Sequence, residues 1–127
     1  MLIVGELINA SRKQIGTAIE NQDKDTIQQI CKEQSANGAN YIDVNAGVFV
    51  GKEVEYLKWL VTTVQEAVDT PCCIDSPDPK AIEAALSVHR GTPMINSISM
   101  EKERFEALMP VIAGTDYKVV ALCMSDT

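Results

Sequence analysis

Short runs of β-branched and apolar residues recur along this chain. Each gives way to a polar turn and then to a longer stretch with helical spacing. The runs are Leu2–Glu6, Tyr41–Asn45, Cys72–Asp75, Met94–Ser97 and Lys118–Cys123. Each has the length of a strand and shows little strict alternation, as strands covered on both faces require. Between the first two runs, Ser11 to Asn37 reads as two helical pieces broken near Asn21–Asp23. Asp23 suits the N-cap of the second piece, whose Ile27, Ile30 and Cys31 share a face before Gly38 stops it. From Glu53 to Val68, the residues Val54, Leu57, Leu60, Val61, Val64 and Val68 form an apolar stripe at helical spacing. Asp78-Pro79 opens the next helix with proline at its first position, and Gly91 closes it. The last helix runs from about Met100 to Ile112, with Pro110 marking a kink or an early end.

The order β-α-β-α-β-α-β-α-β predicts an α/β fold of about five parallel strands and four right-handed helical crossovers. No linker or low-complexity segment interrupts the series, so residues 1–127 read as one domain. A (β/α)8 barrel takes about 250 residues, and the expected architecture is the first half of such a TIM-type barrel. An open five-stranded parallel sheet is the alternative that composition alone leaves standing. No G-x-G-x-x-G follows the first strand and no G-x-x-x-x-G-K-S/T occurs, which argues against a dinucleotide-binding unit and a P-loop.

Charge and composition narrow the partners. The 127 residues are 46% hydrophobic and carry eleven basic against eighteen acidic side chains, a net charge of −7. Such a chain has no electrostatic footprint for nucleic acid and no basic face for an anionic membrane. No apolar stretch approaches the roughly 18–20 residues that span a bilayer. No charged segment precedes the first apolar run, so no signal peptide is visible and a soluble cytoplasmic protein is expected. Cys31, Cys72, Cys73 and Cys123 contain no C-x-x-C pair, and the single histidine, His89, stands apart from them. They read as small buried hydrophobes in a reducing compartment, and no metal site is expected.

The candidate chemistry lies at the strand ends. The first strand leads into Glu6 and Asn9, and the second ends in Asp43 and Asn45. The third ends in Asp75-Ser76, the fourth in Asn96-Ser97, and Ser125-Asp126 follow the fifth. In a parallel α/β protein the carboxyl ends of the strands share one face, where ligands bind, so these groups converge. Carboxylates and amides in an apolar cup suit a heterocycle with alternating N–H donors and ring-nitrogen acceptors. The same residue types also serve turns and helix caps. Capping is expected of Ser76, Asp78, Ser99 and Asp126, and ligand contact of Asp75 and Asn96, which end apolar runs. Spacing alone leaves Glu6, Asn9 and Asp43 open to either role, and Asn45-Ala46-Gly47 to a turn. His89, beside Arg90 late in its helix, reads as a cation at a helix C-terminus. Trp59 reads as packing, and Lys52–Glu55 and Glu101–Arg104 as solvated helix faces.

Four segments in register carry a resemblance. They are Gly5-Glu6-Leu7-Ile8-Asn9, Tyr41-Ile42-Asp43-Val44-Asn45-Ala46-Gly47, Cys73-Ile74-Asp75-Ser76-Pro77 and Ile95-Asn96-Ser97-Ile98-Ser99. Together they resemble the pterin-binding family of (β/α)8 barrels, over essentially the whole chain. Within that family they look most like the branch of methyltetrahydrofolate:corrinoid/iron–sulfur protein methyltransferase and the folate domain of cobalamin-dependent methionine synthase. The dehydropteroate synthase branch typically has Asn-Asp where this chain has Asn96-Ser97.

The resemblance implies the amino-terminal half of an enzyme that moves the N5 methyl group of methyltetrahydrofolate to cobalt(I). The corrinoid would be carried by a partner, such as a corrinoid/iron–sulfur protein, and the barrel itself would bind no metal. Asp75 and Asn96 would hydrogen-bond the pterin, with Glu6, Asn9 and Asp43 lining or bracing the pocket and Ser97 beside them. The family's activating Asn is expected beyond residue 127, so no catalytic residue is assigned here. Glu6-Leu7 stands where the family commonly pairs Glu with Arg. The alternatives are a dehydropteroate synthase-like transferase and a non-catalytic folate-binding or assembly fragment. Open edges on the first and fifth strands imply a homo-oligomer.

Overall fold

In the computed structural model the strands and helices alternate along the chain. β1 (Val4–Asn9) is followed by α1 (Lys13–Glu20), α2 (Lys24–Ala36) and β2 (Tyr41–Asn45). Then come α3 (Glu53–Ala67), β3 (Cys72–Asp75), α4 (Pro79–Val88), β4 (Met94–Ser99), α5 (Lys102–Ile112) and β5 (Lys118–Leu122). The structure describes residues 2–99, 102–115 and 117–122, and the side chains of 97–99, 102–105, 108, 121 and 122 lie outside that description. Cys123, Ser125 and Asp126 fall outside the described residues as well, and so does the side chain of Ser99.

All four strand pairs are parallel, and the spatial order β1-β2-β3-β4-β5 repeats the chain order. That order separates the two expected architectures. A doubly wound open sheet reverses its strand order at a switch point, whereas this sheet winds one way, as the first half of a (β/α)8 barrel does. The first crossover holds two helices, because Asn21–Asp23 interrupts the helical run. Gln22 takes a left-handed φ of 49° there. Asp23 then caps α2, accepting from the Thr26 N–H at 3.2 Å and the Thr26 hydroxyl at 2.6 Å. Asp78 caps α4 by accepting from the Lys80 N–H at 2.9 Å, with Pro79 at the first position. Pro110 does not end its helix, since α5 continues through it to Ile112.

Alternation along the strands sorts the side chains onto two faces. Ile8, Ile42, Val44, Cys72, Ile74 and Ile95 join one buried cluster with Ile19, Ile27, Cys31, Leu57, Val61 and Ile82 from the helices. Each such aliphatic side chain contributes about 1.5–3 kcal/mol when fully buried. Tyr41, Cys73 and Met94, with Val4 against them, form a second and smaller cluster on the opposite face. No helix residue belongs to it, so this inner face is the one that carries the polar strand ends. No helix among the described residues is long and apolar enough to cross a membrane.

Buried polar side chains tie the helices to the sheet ends. Gln65 of α3 clasps Arg90: its amide donates to the Arg90 carbonyl at 3.0 Å and its carbonyl accepts the Arg90 N–H at 2.8 Å. His89, the C-cap of α4, accepts the Cys72 N–H on Nε2 at 3.0 Å where β3 begins. This corrects the sequence expectation of a cation. An accepting Nε2 belongs to a neutral imidazole, and burial, with Arg90 beside it, lowers the pKa of His89. A depressed histidine pKa means that the folded chain binds fewer protons than the unfolded one below about pH 6.5, so acidification costs stability. His89→Ala is expected to lower stability by about 1–3 kcal/mol at neutral pH by orphaning the Cys72 N–H. It should also flatten the fall in denaturation midpoint between neutral and mildly acidic buffer, measured by urea titration.

Candidate functional site

The second, third and fourth strands bring three of the expected residues together. Register sets Asp43 opposite Cys73 and Asp75 opposite Asn96, all on the inner face at its carboxyl end. The Asn96 amide donates from Nδ2 to Asp43 Oδ2 at 3.3 Å. Asp43 is only 2% exposed, while Asp75 and Asn96 are half-buried. Among the described residues no cation stands beside Asp43, and burial, reinforced by the neighbouring Asp75 carboxylate, pushes its pKa up to about 8. Asn96 and the Cys73 thiol act the other way by hydrogen bonding to it. The Cys73 thiol is itself raised by burial and by Asp43, and Cys72 is pushed up to about 12 by burial. These thiols are therefore protonated, buried and free.

The remaining expectations divide. Asn9 is half-buried, and its Oδ1 accepts from the Ser11 N–H at 2.9 Å and the Ser11 hydroxyl at 2.8 Å. That fixes the β1–α1 turn and leaves only its amide N–H groups for other work. The Glu6 side chain is exposed and makes no hydrogen bond or ion pair among the described residues. Its position is nevertheless built. Between Gly5 and Ile8, β1 carries one residue more than β2, a bulge opposite Asp43. The bulged Glu6 and Leu7 N–H groups donate to the Gln34 side-chain carbonyl at 3.2 and 3.1 Å. A Cβ on Gly5 would lie 2.6 Å from the Gln34 amide, so a larger residue there would displace the end of that side chain. β4 has a second bulge between Asn96 and Ile98, which holds Ser97, whose side chain lies outside the described part.

The turn and cap expectations stand for Asn45, which accepts the Gly47 N–H at 2.8 Å, and for Ser76, which accepts the Asp78 N–H at 3.0 Å. Ser76 also donates to Glu53 Oε2 at 2.6 Å, so Glu53 is a half-buried tie between α3 and the β3–α4 loop. That overturns its reading as part of a solvated face. Sequence reasoning also missed Gln34, although it follows Ile27 and Cys31 on the buried stripe of α2. A polar residue on an apolar stripe was the available signal. For Glu53 no sequence signal existed, because its partner is 23 residues away.

A cleft of about 520 Å³ between α1 and α2 includes none of the expected site residues. A cleft of about 310 Å³ at the mouth is lined by Gly47, Val50, Gly51, Glu53, Val54 and Asp78. Val50 beside it is 94% exposed. Among the described residues no group of three or more His, Cys, Asp or Glu is placed to hold a metal ion. What the cluster offers instead is hydrogen bonding to a ligand edge by a carboxylate and an amide, next to a buried acid.

A singly wound parallel sheet with polar strand ends on one face defines a barrel-type ligand-binding protein. The model of the family described as pterin binding enzyme matches residues 5–127, and the chain belongs to that family. It is 39% identical over 124 residues to the methylcorrinoid:tetrahydrofolate methyltransferase of Eubacterium limosum, covering 96% of this chain and 46% of that protein. It is 28% identical over 133 residues to the methionine synthase of Mycobacterium tuberculosis, covering 99% of this chain and 11% of that protein. The chain therefore spans less than half the length of the curated relatives it matches.

The raised Asp43 has a consequence for folding. Its contribution to stability is complete below about pH 4, where the unfolded chain is protonated too, and is lost as pH rises toward about 8. One bound proton corresponds to about 1.4 kcal/mol per pH unit across that interval at most. Asp43→Asn is expected to raise the neutral-pH melting temperature, with the gain shrinking to nothing in acid, as scanning calorimetry across pH would read.

Proposed function

We propose that this chain is the pterin-binding, amino-terminal half of a methyltransferase barrel, with residues 1–127 as one domain. The methyl group would pass between N5 of methyltetrahydrofolate and the cobalt of a corrinoid on a partner protein. The relative in Eubacterium limosum is named for transfer from methylcorrinoid to tetrahydrofolate. Both directions run through one transition state, so a site that serves one serves the other. The observation that carries this reading is the Asp43–Asp75–Asn96 cluster at the carboxyl end of β2, β3 and β4. Asp75 and Asn96 hydrogen-bond the pterin ring, and Asp43 braces them from below. Asn9, Glu6 and Ser97 stand on the rim, Glu6 on the bulge that Gln34 holds.

The chemistry divides between protein and corrinoid. A tertiary amine is a poor leaving group, so N5 needs a proton or a strong hydrogen bond as its methyl departs. Cobalt(I) on the partner supplies the nucleophile. This chain's own residues contribute orientation: two fixed hydrogen-bonding positions set the ring and thereby aim N5 at the open mouth. A corrinoid/iron–sulfur protein is the partner this reading favours, and a cytoplasmic setting suits the free thiols of Cys31, Cys72 and Cys73.

Calorimetric titration of the 127-residue chain with methyltetrahydrofolate tests the ligand. Saturable binding is expected, and Asp75→Ala should weaken it about a hundredfold, more than a single neutral hydrogen bond is worth, because a charged acceptor is lost. A folded chain that gives no heat would overturn the reading. β1 and β5 end the sheet as unpaired parallel edges, and we read them as the surfaces of a homo-oligomer. Native mass spectrometry should return dimers at micromolar concentration, and a monomer throughout would refute that assignment.

A further inference from the structure

Asp43 sits one pleat below Asp75, level with Cys73, and is almost wholly buried. The groups that face it can be named strand by strand. β3 contributes Asp75 and the Cys73 thiol, β4 contributes the Asn96 amide and Met94, and its own strand contributes Tyr41. β1 brings Val4 and Asn9 to this face and the exposed Glu6 to the bulge. The one cation of the described inner face is the exposed Lys118 of β5, which register sets in the same row as Asp43, Cys73 and Met94 but three strands away from Asp43. A carboxylate buried among two donors and a second carboxylate lacks the partners that an ionised group needs.

We propose that Asp43 carries a proton and is a positioning residue: its O–H donates to the Asp75 carboxylate while its other oxygen accepts the Asn96 amide. The identity of the ligand rests on the function proposed above; the proton does not. With its NH2 group committed to Asp43, Asn96 presents Oδ1 to the mouth. Asp75, held from below by a donor, keeps its remaining lone pairs for a ligand. The pair then forms a row of acceptors that complements two parallel N–H donors on one heterocycle edge. The 2-amino group and N3–H of a 2-amino-4-oxo pterin make such an edge. A 2-oxo ring such as lumazine turns an oxygen toward the same row, and a site built for a donor rejects it. Ionising Asp43 removes the O–H and sets two like charges together, which undoes the arrangement.

Calorimetry with methyltetrahydrofolate, from neutral to alkaline pH, tests the inference on wild type, Asp43→Ala and Asp43→Asn. Asp43→Ala should weaken neutral-pH binding about thirtyfold, and Asp43→Asn should recover all but about threefold, because its amide reproduces both the donor and the acceptor. Wild-type affinity should fall as pH rises through the alkaline range, and Asp43→Asn should lack that limb. Fluorescence titration in mildly acidic buffer should give at least about a tenfold preference for pterin over lumazine, kept by Asp43→Asn. An Asp43→Asn variant as weak as Asp43→Ala, or one that retains the alkaline limb, overturns the proposal. Should no chain bind folate, the ligand reading fails by itself, and carboxyl carbon-13 titration of wild type still decides the proton. An Asp43 resonance that moves above neutral pH supports it, and one that moves in the ordinary carboxylate range overturns it.

Discussion

A strand has two faces, and every second side chain belongs to each. In β2, β3 and β4 that period of two sends Ile42, Val44, Cys72, Ile74 and Ile95 under the helices. It sends Tyr41, Asp43, Cys73, Asp75, Met94 and Asn96 to the other side. A slip of one residue in any pairing would drive Asp43 or Asp75 into the apolar layer and an isoleucine onto the open face. The packing of helices against the sheet therefore holds the register, and the register brings the carboxylates and the amide together. Core and site are one constraint seen from two sides.

The ends of the sheet are secured by side chains that bond to backbone. At the amino end, His89 takes the first amide of β3 and Gln65 clasps Arg90. Midway along the sheet, Gln34 takes the two amides freed by the β1 bulge, and at the carboxyl end Ser76 joins α3 to the β3–α4 loop through Glu53. Each tie replaces water for a polar group that burial would otherwise leave unpaired. Where the chain departs from regular pairing, at the bulges in β1 and β4, it does so opposite Asp43 and beside Asn96. An extra residue re-aims a side chain without disturbing the ladder below it.

The recognition proposed for this site works through acceptors. The chain is strongly anionic, and its described inner face carries a cation only at Lys118, three strands away from Asp43. Such a surface has little to offer a phosphate and much to offer a ring rich in N–H groups. The proposed proton on Asp43 would also keep charge density beside Asp75 to what one proton between two aspartates permits.

The sequence by itself determined the alternating elements, the caps at Asp23 and Asp78, the break before α2 and the convergence of Asp43, Asp75 and Asn96 on one face. Those features depend on local chemistry and on a period of two or 3.6, both of which are written in consecutive residues. The family likeness was legible for the same reason, since its four segments are short and ordered. Strand order needed the tertiary structure, because a barrel and a doubly wound sheet share one sequence pattern and differ only in who neighbours whom. So did the state of His89, which looked like a cation and is a neutral acceptor for an amide 17 residues away. Glu53 looked solvated and found Ser76, Asn9 folded back on Ser11, and Pro110 was carried inside its helix. Asp43 makes the same point for electrostatics. Its identity is read from one letter, but its proton depends on a carboxylate from the next strand and on burial that only the assembled sheet provides.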